Sequence, residues 1–417
     1  MRPKTISEKI FESKAGRECR AGDVVECEVD YVMVNDVTGP LAFRAFEETG
    51  MEPVREKIVL IPDHFVPAKD VDSAQQAKEM REFAKRHGIP HYYEVGRSGV
   101  CHQVMIDDGF VAPGRLIVGA DSHTCTYGGL NAFGTGIGST EAAYVFATGR
   151  LWFRVPESIE IVLRGKLREN VSGKDLILRI VGDLGMDGAT YKALEFSGPG
   201  VASIPMPDRF SMSNMAIEAG GKAGLFPYDP VAKRFAEAVS RGEYEGVNAD
   251  PGAEYVRTLE YDLSKIVPMV AVPPRPDGAL EASKCDVAID QAYLGSCTNG
   301  RIEDMRIAAG IVKGKRVAPG VRMIVVPASV DVHRKMAAEG LIEVFLDAGA
   351  FVSGPTCGAC LGGHMGILSD GEVAVSSTNR NFIGRMGHPG SKVYLASPAT
   401  VATSALAGRI RAPEGFE

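Results

Sequence analysis

Residues 115–129 read "RLIVGADSHTCTYGG". An apolar run fills 115–120. It gives way at once to a polar, glycine-rich stretch carrying Asp121, Ser122, His123 and Cys125. The run predicts a buried strand, and the stretch a loop beyond its carboxyl end. The pattern recurs along the chain. "IVLIP" leads into "DHFVPAKD" at Asp63, "AYLGS" into "CTNGR" at Cys297, and "EVAVSS" into "TNRNFIGR" at Thr378. Runs at 57–62, 115–120, 288–296, 321–329, 372–377 and 392–397 all read as buried strands. Helical patterns lie between them, such as "VDSAQQAKEMREFAKRHG" at 71–88, closed by Gly88. The fold class is therefore α/β, and four chemically loaded loops sit where α/β proteins place their sites.

The chain has 417 residues, enough for about two to four domains. Boundaries are expected near 156 and 283, giving units 1–156, 157–283 and 284–417. The middle one closes on the proline-rich "VAVPPRPDGAL". A net charge of −7 and the lack of a Lys/Arg block argue against a nucleic-acid partner. "MRPKTISEKIFESKAG" has no apolar leader core, and no apolar run approaches the ~20 residues of a membrane span. Eight cysteines in such a chain suggest a reducing, cytoplasmic setting. There, closely spaced cysteines bind metal or act chemically more often than they form disulfides.

Cys357 and Cys360 stand in a C-x-x-C spacing within "GPTCGAC", and Cys297 follows a strand as "GSC". A redox dithiol would need a thioredoxin-like βαβ context, which is not evident. A structural zinc site needs four ligands, and His364 is a candidate fourth. A 4Fe–4S cube on three thiolates leaves one iron free to act as a Lewis acid. Spacing leaves zinc and cluster both open. Cys19, Cys27, Cys101, Cys125 and Cys285 read as small apolar residues, with Cys125 set apart by its polar loop.

Asp63–His64, His102 and Asp121–His123 bring imidazoles beside carboxylates, a pairing that holds a proton for delivery to a leaving hydroxyl. Taken singly, each is an ordinary hydrogen-bonded loop histidine; together, beside the cysteines, they point to chemistry. Asn379, Arg380 and Arg385 suit carboxylate binding, or else loop capping and surface ion pairing. "GTGIGS" at 134–139 lacks the dinucleotide signature and reads as the approach to a helix capped at Ser139. "AGGKAG" at 219–224 lacks the Ser/Thr of a P-loop, and there is no nucleophile elbow.

The ordered segments "NDVTGPLA", "DH", "GVCHQ", "GADSHTCTYGGLNAFGTGIGSTEAA", "YLGSCTNGR", "GPTCGACLGG" and "STNRNFIGR" resemble the aconitase superfamily from near residue 30 to near 400. Within it the resemblance is to the shorter large subunits of 3-isopropylmalate dehydratases, a branch close to homoaconitase large subunits. It implies three α/β/α domains around one 4Fe–4S cluster held by Cys297, Cys357 and Cys360. Asp63 and His64 match the pair that protonates the leaving hydroxyl. His102, Asp121, Ser122 and His123 match further active-site positions. Glu195, in "YKALEFSG", is matched to a glutamate that contacts iron-bound water. Asn379, Arg380 and Arg385 match the segment near the substrate carboxylates. Asn35 and Thr126 depart from the aconitase pattern, standing for a glutamine and an asparagine. Aconitase also carries a fourth, swivelling domain with a serine base and a substrate-binding arginine. That domain is expected here on a separate small subunit. The implied activity is a hydro-lyase acting on a 2- or 3-hydroxy acid, either the isopropylmalates of leucine biosynthesis or homocitrate and related 2-alkylmalates. The reading from another class is a zinc-stabilised binding protein.

Overall fold

The computed structural model describes residues 2–416. All six expected strands form, and three parallel arrays organise the chain. In the first, the spatial order is His91–Tyr92, Ile58–Leu60, Tyr31–Val34, Leu116–Gly119, Phe133–Gly136. The chain runs outward from Tyr31–Val34 in one direction, then returns to build on its other side. Strand order thus reverses between Tyr31–Val34 and Leu116–Gly119, and such reversals open a crevice at the strand ends.

The second sheet orders Ala223–Leu225, Lys192–Ser197, Glu157–Arg164 and Arg257–Asp262, all parallel. The third has seven strands. Its parallel part runs Lys392–Ala396, Val373–Ser376, Gln291–Leu294, Arg322–Val325, Phe351–Val352. Here the order reverses between Gln291–Leu294 and Val373–Ser376. Two short strands, Met269–Ala271 and Ala279–Glu281, extend this sheet by antiparallel pairing. They precede residue 283 in sequence yet hydrogen-bond into the third sheet, so sheet membership does not follow the boundary expected there.

Local chemistry explains the helix limits. Helix Val71–His87 starts where the Asp70 carboxylate accepts from Ser73 N, and it ends at Gly88, φ +62°. Few side chains adopt that left-handed backbone as readily as glycine. The helix after "GTGIG" spans Ser139–Thr148 and is capped one residue earlier than expected. Gly138 is the cap, its amide held by the Glu141 carboxylate, while Ser139 Oγ donates to Thr38 O.

Several contacts dock the units. One apolar core joins Ile180, Val181 and Met212 of the middle unit to Tyr293 and Ile324 of the third. The stretch 122–130 lies so close to strand Ala223–Leu225 that a Cβ on Gly128 would sit 1.9 Å from Gly224 O. That approach accounts for Gly128, and a second one, 2.7 Å from a Cβ on Gly129 to the Phe210 ring, for the other glycine ending "DSHTCTYGG".

Arg209 is fully buried and reaches Asp229 through two hydrogen bonds, at 2.9 and 2.6 Å. The same carboxylate caps helix Pro230–Val239. Asp229→Ala removes the cap and strands a buried guanidinium. The expected loss is about 3–5 kcal/mol of unfolding free energy, read as a lowered denaturant midpoint.

Candidate active site

The loops beyond the strand ends of the first and third sheets meet. Asn35 and Asp36 follow Tyr31–Val34, Asp63 and His64 follow Ile58–Leu60, and Asp121–His123 follow Leu116–Gly119. From the third sheet come Cys297 after Gln291–Leu294, Cys357 and Cys360 after Phe351–Val352, and Asn379 and Arg380 after Val373–Ser376. The turn into Cys297 is strained, with Ser296 at φ +75°.

Asp63 organises one side. Its Oδ1 lies 2.5 Å from His64 Nδ1, and its Oδ2 accepts from Cys101 N at 2.7 Å. Its carbonyl accepts from Cys357 N at 2.8 Å and from Thr356 Oγ1 at 3.1 Å. Asp36, absent from the expected set, holds the turn by accepting from the amides of Asp63, His64 and Phe65. His64 Nε2 is left facing Asp121 Oδ2 at 3.9 Å. Burial lowers the His64 pKa, but Asp63, Asp36 and Asp121 together outweigh it and raise it to about 10. His64 is therefore an imidazolium at neutral pH.

Asp121 is the second hub. Its Oδ1 meets His102 Nε2 at 3.0 Å and accepts from His123 N at 2.8 Å. Burial pushes the Asp121 pKa up, but His102 and His123 win and hold it well below the usual range. His102 is engaged at both nitrogens, since Nδ1 faces Tyr127 OH at 3.2 Å. It orients Asp121 and has no nitrogen left for a ligand. His123 Nε2 meets Glu218 Oε1 at 2.9 Å, and the same oxygen accepts from Arg380 Nε at 2.8 Å.

Glu218 thus occupies the place expected of Glu195. Glu195 lies in strand Lys192–Ser197, where its carboxylate accepts from Ile6 N, Ser7 N, Ser7 Oγ and Ser158 Oγ. It anchors the first helix and belongs to no site. A carboxylate in mid-strand, tied by buried donors, cannot reach the strand-end crevice.

Cys297, Cys357 and Cys360 are buried free thiols. Asn214 Nδ2 and Asn379 Nδ2 point at Cys297 Sγ, at 3.2 and 3.3 Å. Asn214 also bonds Thr126 and, through its oxygen, Thr298 and Asn379, so it joins all three units. A hydrogen bond from the Cys357 thiol lowers the Cys360 pKa and raises that of Cys357; Arg385 and His123 reinforce the lowering. Burial pushes Cys297 up to about 12.

One tetrahedral zinc needs thiolates about 3.8 Å apart. Among the described residues the one His/Cys/Asp/Glu trio that closes within 4.8 Å is Asp36, Asp63 and His64, not the cysteines. His364 turns its Nε2 to Pro67 O at 2.9 Å. The three buried thiols do not all close around one point, and two amide donors reach Cys297, which fits an iron–sulfur cluster better than zinc.

The remaining expected residues are placed as follows. Asn35 Oδ1 accepts from Val37 N and Thr38 N, leaving Nδ2 buried without a partner. Arg385 Nε is likewise buried and unpartnered. Asp121 and Ser122 line a cavity of about 280 Å³ together with Gly138, Glu141, Ile217 and Lys222. Larger clefts, of about 390 and 490 Å³, contain none of the expected site residues.

The family model described as aconitase family (aconitate hydratase) matches residues 8–287 and 280–408. The chain belongs to the aconitase family. Among its relatives are proteins named 3-isopropylmalate dehydratase large subunit. That of Thermodesulfovibrio yellowstonii is 51% identical over 414 residues, covering 98% of each chain. That of Picrophilus torridus is 51% identical, covering 99% of this chain and 100% of its own. The holo-form of Thermococcus kodakaraensis aconitase X shares the fold at TM-score 0.51 and 12% identity, covering 90% of this chain and 89% of its own. The cysteines and histidines of this aconitase-family chain lie in the parts matched by the family model.

The Asp63–His64 pair can be followed by titration. With the folded pKa raised, His64 stabilises the fold fully below its unfolded value of 6.5, and that stabilisation is lost as pH rises through about 10. In histidine-labelled protein, the His64 resonance should stay in its protonated position through pH 8. In Asp63→Asn its midpoint should fall by more than one pH unit, because Asp63 is the largest raising influence.

Proposed function

We propose that this chain is the large subunit of a 3-isopropylmalate dehydratase, interconverting 2- and 3-isopropylmalate by dehydration and rehydration in leucine biosynthesis. The observation that carries the reading is 51% identity along nearly the whole of both chains to large subunits of that name. The site geometry supports it.

Cys297, Cys357 and Cys360 would hold a 4Fe–4S cluster, one per chain. When bound, that group supplies a Lewis-acidic iron without a protein ligand, which draws charge from the substrate's hydroxyl and carboxylate. Asn214 and Asn379 donate to Cys297 and fix its thiolate. His64 carries the proton at Nε2 and delivers it to the departing hydroxyl, which leaves as water. Asp63 fixes the ring through Nδ1 and stabilises the imidazolium. His102 and His123 set Asp121 opposite His64.

Arg380, held through Nε by Glu218, has its terminal nitrogens free for a substrate carboxylate. Arg385 adds charge beside Cys360, and the unpartnered Asn35 amide and Ser122 offer further polar contacts. The proton on the adjacent carbon goes to a base. By resemblance, that base is a serine on a small subunit carrying the swivel domain.

The test is anoxic co-production with that small subunit. About four irons per chain, with broad absorption near 400 nm, and turnover of 3-isopropylmalate are expected. A colourless protein holding one zinc overturns the cluster. A strong preference for homoaconitate overturns the substrate.

Within the active complex, Asp63→Asn should lower kcat by about 10²–10⁴-fold with KM nearly unchanged. The alkaline limb of kcat, set by loss of the His64 proton, should move to lower pH. Cys360→Ser should lose cluster iron as well as activity.

A further inference from the structure

The middle unit contains a lysine that its own fold does not explain. Lys174 is the second residue of helix Gly173–Leu184 and is fully buried. A cation is disfavoured in the first turn of a helix, where unpaired amides already carry partial positive charge. Burial disfavours it again, because the ammonium loses its water. Among the described residues it forms no ion pair. Its partners are neutral, since Nζ donates to Ser377 O at 2.9 Å and to Thr378 O at 2.5 Å. These carbonyls belong to the two residues just before Asn379 and Arg380.

Burial lowers the Lys174 pKa, to about 7. The negative groups that pull it back are, in order, Cys297, Asp304, Asp175 and Cys360. The two carboxylates have other work. Asp175 accepts from Met269 N and Ser172 N. Asp304 accepts from Arg301 N and Asn299 Nδ2. Asp175, held by neutral amides, keeps its charge and shares the compensation, but Cys297 leads it, and ionised as ligands the cysteines would hold the ammonium in its charged form.

We propose that Lys174 is the buried counter-cation of the three-cysteine group, a positioning residue that holds Ser377–Arg380 against Cys297 and fixes a positive charge behind the thiolates. This rests on the reading of those cysteines as cluster ligands. Three thiolates make the assembly anionic, and the potential of such a group responds to nearby charge and to hydrogen bonds at its sulfurs. Lys174 acts on both, directly through its charge and indirectly by seating Asn379, whose amide meets Cys297 Sγ.

The test compares the anoxic complex of wild type, Lys174→Met and Lys174→Gln. The cluster midpoint potential is measured by an EPR-monitored redox titration, with iron per chain counted alongside. Both variants should shift the potential to more negative values, because the added electron loses a nearby cation. Glutamine still offers an amide to the two carbonyls, so a shift shared by both variants belongs to the charge. An unchanged potential in both overturns the proposal. So does a glutamine variant equal to wild type beside a shifted methionine variant, which would assign the effect to loop support alone. If one variant does not fold, the other decides by the direction of its shift. A wild-type complex without iron–sulfur absorption overturns the ligand reading as well, and is told apart by its lack of iron.

Discussion

The centre of this molecule depends on Asp63 facing two ways. Its carboxylate grips His64 and the first amide of helix Cys101–Asp107, while its carbonyl receives Cys357 N and Thr356 Oγ1. The proton-bearing imidazole and the C-x-x-C loop, nearly 300 residues apart, are therefore registered to one another through a single residue. A buried carboxylate is costly without partners. Here the amide, the imidazole and the nearby Asp36 turn make the arrangement tolerable only in this conformation, so the demand to satisfy Asp63 fixes the geometry of its neighbours.

Topology explains why the partners are at hand. The first and third sheets each reverse strand order once, and at each reversal two loops leave their strands in opposite directions. The first reversal frees Asn35–Asp36 and Asp121–His123; the third sheet's frees Cys297 and Asn379–Arg380. The middle unit does not use its own strand ends. It lends the end of helix Met206–Asn214 and the turn after it, which put Asn214 and Glu218 between the other two. The close approach at Gly128 allows this, since any larger residue would hold the middle unit away from the loop that carries His123.

That division also marks what could be read from the sequence. Strands buried on both faces are continuous apolar runs, and residues just beyond them stand out against those runs. The strand-end positions of His64, Asp121 and Cys297 are legible for that reason, and so is the fold class. Glu218 and Asn214 follow no strand; in "SMSNMAIEAG" they look like ordinary helix residues, and only the docking of three units gives them partners. Glu195 enters instead only through the resemblance of its local sequence "YKALEFSG" to the family pattern. Its real role, tying down the first helix through Ile6 and Ser7, depends on a contact nearly 190 residues long that no local pattern announces. Asp36 works through the backbone amides of Asp63, His64 and Phe65, and such contacts leave no mark in the sequence.

The charges at the centre alternate, and this bears on which groups can act as a base. Asp63 is taken by His64, Asp121 by His102 and His123, and Glu218 by His123 and Arg380. Each carboxylate already accepts from a donor that is positive or hydrogen-bonded to another carboxylate. Hydrogen bonding to the charged form lowers the appetite of a carboxylate for a proton, and the depressed pKa of Asp121 shows the effect. Such groups hold an acid in place well and abstract a proton from carbon poorly. The same arrangement that keeps His64 protonated therefore disqualifies its neighbours as the carbon base. On the proposed reading, such a set supplies the acid, the cysteines and the carboxylate grip, and the base comes from a partner whose side chain enters the crevice from outside.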